Sequence, residues 1–350
     1  MRKLFIAIFL IFIIISFSVK VVYYESKFIG MEIVLGAFYE VSPFPTTLPG
    51  VSAEVVVKDI NPPQHVLRSL REGHSGCLLL VPGLDIYEWR GKNPYREGFE
   101  GAVLKAVKNL GKDLSVYIYI YPSFFESMWE SGRELARLVN SKGLSDIVVI
   151  AHSKGGLVVR IALLNEEFRR RVKTVYFLGT PHFGSPLANA LIYPPAEFEK
   201  VFSLDKEKAD KVRLALALSY TAGYINSIGS RELSWMNHAL PPLENYEGIK
   251  YVLIAGMIGT RSYSEVLNYL NMNMNPDWFA PAIGLFYLSL ISDIVFGKDP
   301  VFRYSDGLVP VESALALRKL RGKKVILWGY NHARLMLDEK IMEKIINGAF

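Results

Sequence analysis

The chain has 350 residues, 40 Lys and Arg against 34 Asp and Glu for a net charge of +6, 51% hydrophobic residues and a single cysteine. This composition supports a large buried core and excludes a disordered or low-complexity chain. One cysteine, Cys77, excludes an intrachain disulfide framework, and no zinc or iron–sulfur spacing occurs, so no metal or organic cofactor is expected. The positive charge is scattered, in Lys105, Lys108, Arg169 to Arg171, and Lys319, Arg321, Lys323 and Lys324. These residues flank apolar periods, which is the pattern of a solvated face and not of a nucleic-acid stripe.

Arg2 and Lys3 precede sixteen apolar or hydroxyl residues, Leu4 to Val19, and the run reaches Tyr24 if Lys20 snorkels. Residues 1–24 are therefore expected to form an uncleaved signal-anchor, a transmembrane helix that holds the N-terminus in the cytoplasm and the remainder outside. Secretion after signal cleavage is the alternative, disfavoured because no small-x-small cleavage site follows. Residues 25–75 read as an extended lead-in, with an edge strand over 53–60 and a short helix over 62–72 after a proline start. Regular alternation begins at Cys77: strands over 77–82, 114–121, 146–151, 172–178, 250–255 and 323–328, with helical periods between the first four. The pattern predicts an α/β fold over 76–350, a mostly parallel sheet with helices on both faces. The long stretches 185–248 and 257–303 are then insertions above the sheet, suited to a cap.

The strand at 146–151 runs directly into Ala151-His152-Ser153-Lys154-Gly155-Gly156. Small residues at 151 and 155 permit the sharp strand-to-helix turn that exposes a serine hydroxyl. Serine needs a base and the base an orienting carboxylate. Of six histidines, His332 is best placed as base, because it follows the last strand and precedes the terminal helix. His152 and His182 read as structural or site-lining. Asp306, in Ser305-Asp306-Gly307-Leu308-Val309-Pro310, supplies the acid, giving the order Ser153, Asp306, His332. The oxyanion of a tetrahedral intermediate requires N–H donors. Lys154 N–H at the helix start and Leu84 N–H, in Val81-Pro82-Gly83-Leu84-Asp85 after the first strand, are the candidates, with Lys154 acting through its backbone and not its ammonium.

With these elements in order, the chain resembles the lipases and esterases of the α/β-hydrolase superfamily, especially bacterial-type triacylglycerol lipases, over about residues 76 to 338. The shared motifs are the oxyanion turn, the elbow, Gly179-Thr180-Pro181-His182-Phe183-Gly184-Ser185, the Asp-Gly-x-Val-Pro turn and a histidine after the last strand. The resemblance implies the α/β-hydrolase fold, with Ser153 as nucleophile, Asp306 as acid, His332 as base, and Leu84 and Lys154 as oxyanion donors. Two positions depart: Pro82 stands where the family has histidine, and Ala151 where it has glycine.

Tyr87 and Trp89 after the oxyanion turn, with Phe183, Leu187 and Leu191 after the 172–178 strand, form a candidate acyl pocket. The apolar run 278–291 reads as a cap or interfacial helix. Together these features predict a serine hydrolase cleaving carboxyl esters of lipids or other apolar acyl substrates, with a lipid or long-chain ester as partner and membrane contact through the N-terminal segment and the cap. A phospholipid acyl hydrolase or an acyltransferase is the close alternative, since the triad does not reveal which acceptor takes the acyl group. A catalytically inert membrane-anchored binding domain is the alternative of another class.

Overall fold

A computed structural model gives backbone and side chains for residues 64–85, 95–124, 126–185, 188, 229, 232–257, 304–317 and 319–350, and backbone alone for 18–28, 31–42, 56–59 and 94. The chain divides into two compact units, Met1–Asn61 with Pro194–Asn226 and Val266–Ile291, and Pro62–Tyr193 with Ser227–Glu265 and Ser292–Phe350.

The described part of the first unit is a three-stranded sheet. Strand β1 (Ser18–Phe28) pairs antiparallel with β2 (Met31–Ser42) and parallel with β3 (Val56–Asp59). This overturns the N-terminal membrane anchor. Residues 18–24, expected to complete a spanning helix, lie in a strand, and among the described residues no helix is long and apolar enough to cross a membrane. The physical reason lies in the residues themselves. Val19, Val21, Val22, Tyr23 and Tyr24 are β-branched or aromatic, and they take up backbone hydrogen bonds from a partner strand instead of closing a helix. The localisation and membrane contact inferred from that anchor fall with it. The β3 strand falls within the edge strand expected over 53–60.

The second unit is built on a seven-stranded sheet. Its elements in chain order are β4 (Val66–Arg71), β5 (Cys77–Val81), α1 (Pro94–Asn109), β6 (Ser115–Ile120), α2 (Met128–Lys142), β7 (Ile147–His152), α3 (Lys154–Ala162), α4 (Glu166–Arg171), β8 (Val172–Leu178), β9 (Lys250–Met257), α5 (Val311–Ala314), β10 (Lys323–Trp328), α6 (Arg334–Leu337) and α7 (Glu339–Ile346). The strand order is β10-β9-β8-β7-β5-β6-β4, parallel throughout except for β4 against β6. The helix expected over 62–72 is instead the edge strand β4, because the open edge of β6 offers a row of backbone partners that outweighs the local proline signal.

Period-two alternation sorts the core into two layers. Leu79, Val81, Val149, Ala151, Val175, Phe177, Leu253 and Ala255 face α2, α3 and α5. Leu78, Leu80, Val116, Ile118, Ile150, Tyr176, Leu178, Val252 and Ile254 face α1, α6 and α7. Because both faces are covered, the central strands read as continuous apolar runs. The strand order, the helices on both faces and the sharp turn after β7 define an α/β-hydrolase fold, with long insertions leaving the carboxyl ends of β8 and β9.

Candidate active site

β7 delivers Ser153 into a turn with φ 52° and ψ −129°. This left-handed conformation costs a β-carbon-bearing residue about 1–3 kcal/mol, and persists only when its surroundings fix it. Ser153 N–H donates to Leu178 O at 2.9 Å, and Gly156 N–H donates to Ser153 O at 3.0 Å. A Cβ on Gly155 would collide with the carbonyl oxygens of Val81 and Pro82, so the elbow helix starts hard against the end of β5. A Cβ on Gly83 would lie 2.6 Å from Ser153 Cβ and 3.2 Å from its Oγ. The turn after β5 therefore passes directly over the serine, and only glycine fits at that crossing.

The other half of the site comes from the far strands. Asp306 is 1% exposed; its Oδ1 accepts the N–H groups of Leu308 at 3.0 Å and Val309 at 2.7 Å, and its Oδ2 lies 2.7 Å from His332 Nδ1. The backbone repeats the link, since His332 N–H donates to Asp306 O at 2.9 Å. A carboxylate that accepts on both oxygens requires the His332 proton on Nδ1, which leaves Nε2 as the basic nitrogen. Gly179, at φ 56°, clears room for the pair: a Cβ there would lie 2.9 Å from Asp306 Oδ2 and 3.0 Å from His332 Nδ1.

His152 joins the two halves. Its Nε2–H donates to His332 O at 2.9 Å, and the two rings lie 4.6 Å apart, tilted by 48°. Burial, and then the neighbouring His332, hold the His152 imidazole well below the usual histidine range, so it stays neutral beside His332. Among the described residues no hydrogen bond runs from Ser153 Oγ to His332, and the pair meet through His152.

The remaining expected residues are distributed as follows. Leu84 is half-buried after Gly83, packed on the α3 layer, and Lys154 opens α3. Phe183 is half-buried, edge-on to Trp235 at 6.3 Å. Tyr87, Trp89, Leu187, Leu191 and the 278–291 run lie outside the described residues. His182 is 1% exposed and structural: Arg160 Nη1 donates to its Nδ1 at 3.2 Å, and its ring meets Phe177 edge-on at 4.8 Å. Burial, reinforced by Arg160, holds His182 well below the usual histidine range, while burial lowers Arg160 itself to about 9. The loop carrying His182 braces the turn that bears Asp306. Ser185 Oγ donates to Leu308 O at 2.6 Å, Phe183 N–H to Ser313 Oγ at 3.0 Å, and Ser313 Oγ to Gly184 O at 2.7 Å.

Sequence reasoning missed the brace of His152 on His332, and the hold on the 82–85 turn exerted by Tyr121 and Ser123. Tyr121 Oη donates to Pro82 O at 2.8 Å, and Asp85 N–H donates to Ser123 Oγ at 2.7 Å. One signal was present, a lysine at the head of a helix that is apolar or glycine down to Arg160.

A family model described as a PGAP1-like alpha/beta domain matches residues 121–252, less than half of the chain but spanning β7, the elbow and β8. No curated protein sequence matches the chain. Among solved structures, the mature form of Bacillus licheniformis lipase BlEst2 aligns at 18% identity and a TM-score of 0.42 over 83% of this chain and 98% of that one. Its propeptide form aligns at 16% and 0.46 over 81% of this chain and 53% of its own length, so this chain spans about half of it. A lipase-esterase related protein from Clostridium acetobutylicum aligns at 13% and 0.41 over 80% of this chain and 98% of that one. The likeness to bacterial lipases and esterases is thus one of low identity, and the fold assignment stands on the strand order and the elbow.

Proposed function

We propose that this protein is a serine-dependent acyl hydrolase whose substrates are acyl esters of phospholipids, with transfer of the acyl group to an alcohol as its second route. The observation that carries the reading is the Asp306–His332 pair, bonded through side chain and backbone and tied by His152 to the strand end that bears the strained Ser153. The ranking over a neutral triacylglycerol substrate rests on two points. The family match is to a PGAP1-like domain and not to the triacylglycerol lipases that the motifs resemble. The net charge of +6 favours an ester whose headgroup is anionic.

In this reading His332 Nε2 takes the Ser153 proton as Oγ bonds the acyl carbon, and the N–H groups of Leu84 and Lys154 receive the oxyanion. Collapse breaks the ester bond and His332 gives the proton to the leaving alkoxide. Water, deprotonated by the same histidine, then releases the fatty acid and regenerates Ser153. Residues 76–350 would form the hydrolase domain, and the insertions 185–248 and 257–303 its cap, with Phe183, Tyr87, Trp89, Leu187 and Leu191 receiving the acyl chain.

The test is fatty-acid release by the full chain from phosphatidylglycerol in mixed micelles and from a triacylglycerol emulsion, with Ser153→Ala in parallel and fluorophosphonate labelling of both proteins. Ser153-dependent release that favours the phospholipid is expected. A triacylglycerol preference would return the protein to the lipases proper, and a folded protein with neither turnover nor labelling would be an inert binding domain.

A further inference from the structure

Lys154 is fully buried, at 0% exposure, one residue after the strained serine. An ammonium taken out of water loses several kcal/mol of hydration, and the positive end of a helix is the least favourable place for it. The chain meets that cost with a dedicated set of acceptors. Lys154 Nζ donates to Ser123 O at 2.6 Å and to Glu126 O at 3.2 Å, and lies 3.9 Å from Glu232 Oε2. Glu232 is fixed in turn by the Met128 N–H at 2.7 Å and the Ser127 hydroxyl. A Cβ on Gly229 would lie 2.9 Å from Nζ, so this segment too closes on the ammonium.

The partners lead back to the site. Ser123, whose carbonyl takes the Lys154 ammonium, offers its hydroxyl to the Asp85 N–H, and Tyr121 two residues earlier bonds Pro82 O. Both ends of the 82–85 turn are thus held by the 121–123 segment, and that segment is held by the residue beside the nucleophile. We infer that the Lys154 ammonium is a positioning group: through Ser123 it fixes the separation between the turn bearing the Leu84 N–H and the helix start bearing its own N–H. It does so without touching substrate. The inference rests on the acyl-hydrolase reading and adds to it a role for a side chain that the sequence suggested only as backbone.

Three variants of the full chain test it: Lys154→Met, which keeps the length and removes the charge, Ser123→Ala, which cuts the tie while leaving the lysine and its carbonyl acceptor, and the double variant. In each single variant amide exchange at Asp85 should accelerate by about tenfold or more, as a protected N–H loses its acceptor or that acceptor loses its anchor. The value of kcat should fall about 10- to 100-fold with KM nearly unchanged, the signature of an interaction used in the transition state. The double variant should be no worse than the weaker single, because both cut one chain of contacts. Unchanged Asp85 exchange, or additive losses in kcat, would overturn the inference. If Lys154→Met fails to fold, Ser123→Ala alone decides the matter through Asp85 exchange and the kcat–KM split. Absence of fluorophosphonate labelling in the parent protein would overturn the hydrolase reading, and Asp85 exchange would still decide the tie.

Discussion

At the elbow, strand, strained serine and helix follow one another without a gap from Ile147 to Gly156. At the Asp306–His332 corner, the two residues are 26 apart in sequence and meet because β9 and β10 pair and the loop 179–185 docks on the turn bearing Asp306. Ser153 is therefore positioned by local backbone geometry and His332 by tertiary closure. Perturbing the first should act within a turn of chain. Perturbing the second should be possible from residues that never approach the substrate.

The largest effects should come from the reacting groups themselves and so test whether the two halves form one machine. Ser153→Ala should lower turnover by at least about 10⁴-fold, and Asp306→Asn by about 10⁴-fold, since an amide no longer fixes the His332 tautomer. The double variant should resemble Ser153→Ala alone, because both act on one step. Ester hydrolysis read against thermal unfolding checks this; a tenfold loss or less in Asp306→Asn would separate the acid from the mechanism.

A smaller contrast sharpens the division between local and closed geometry. Gly179→Ala places a methyl against Asp306 Oδ2 and His332 Nδ1 and adds left-handed strain of about 1–2 kcal/mol. It should lower kcat about 10- to 100-fold from the far side of the base. Ala151→Gly, in the fully buried end of β7, should instead cost about 1 kcal/mol of stability while leaving kcat within about twofold. Equal losses of activity in the two variants, measured with urea unfolding alongside, would erase the distinction.

The same division explains what the sequence made legible. The parallel core strands and the elbow are encoded in contiguous runs such as Ile147 to Ala151, whose continuous apolar character reports burial on both faces. The β4 strand was not legible, since its six residues alternate poorly and owe their pairing to the open edge of β6. The N-terminal run misled because hydropathy is blind to partner strands: the same valines and tyrosines that suit a bilayer also suit β1. For the site, motif order suggested Asp306 and His332, but the hold of His152 on His332 O and of Ser123 on Asp85 N–H passes through side chains 180 and 38 residues distant. No periodicity carries such information.

The smallest expected effect distinguishes the two buried histidines, one in each kind of environment. Burial depresses both His152 and His182 in the folded protein, with His332 and Arg160 respectively adding to the shift. Above the unfolded value of about 6.5 both are neutral in either state, and their contribution to stability is fully present. As pH falls below that value the unfolded chain takes up two protons that the folded chain refuses, so stability declines, approaching about 2.7 kcal/mol per pH unit. Glu134 and Glu339, which are depressed by Arg137 and Lys105, begin to contribute only near and below about 4.5. Burial raises Glu100 above that value, so in urea unfolding between pH 7 and 5 the difference in slope between the parent and a histidine variant, not the total slope, reports the histidine. His182→Gln keeps an acceptor for Arg160 and should remove one histidine's share of the slope with little change in turnover, because its loop braces the acid turn from outside the reacting groups. A slope unaltered by that substitution would mean that His182 is protonated in the fold, which its burial against a guanidinium opposes.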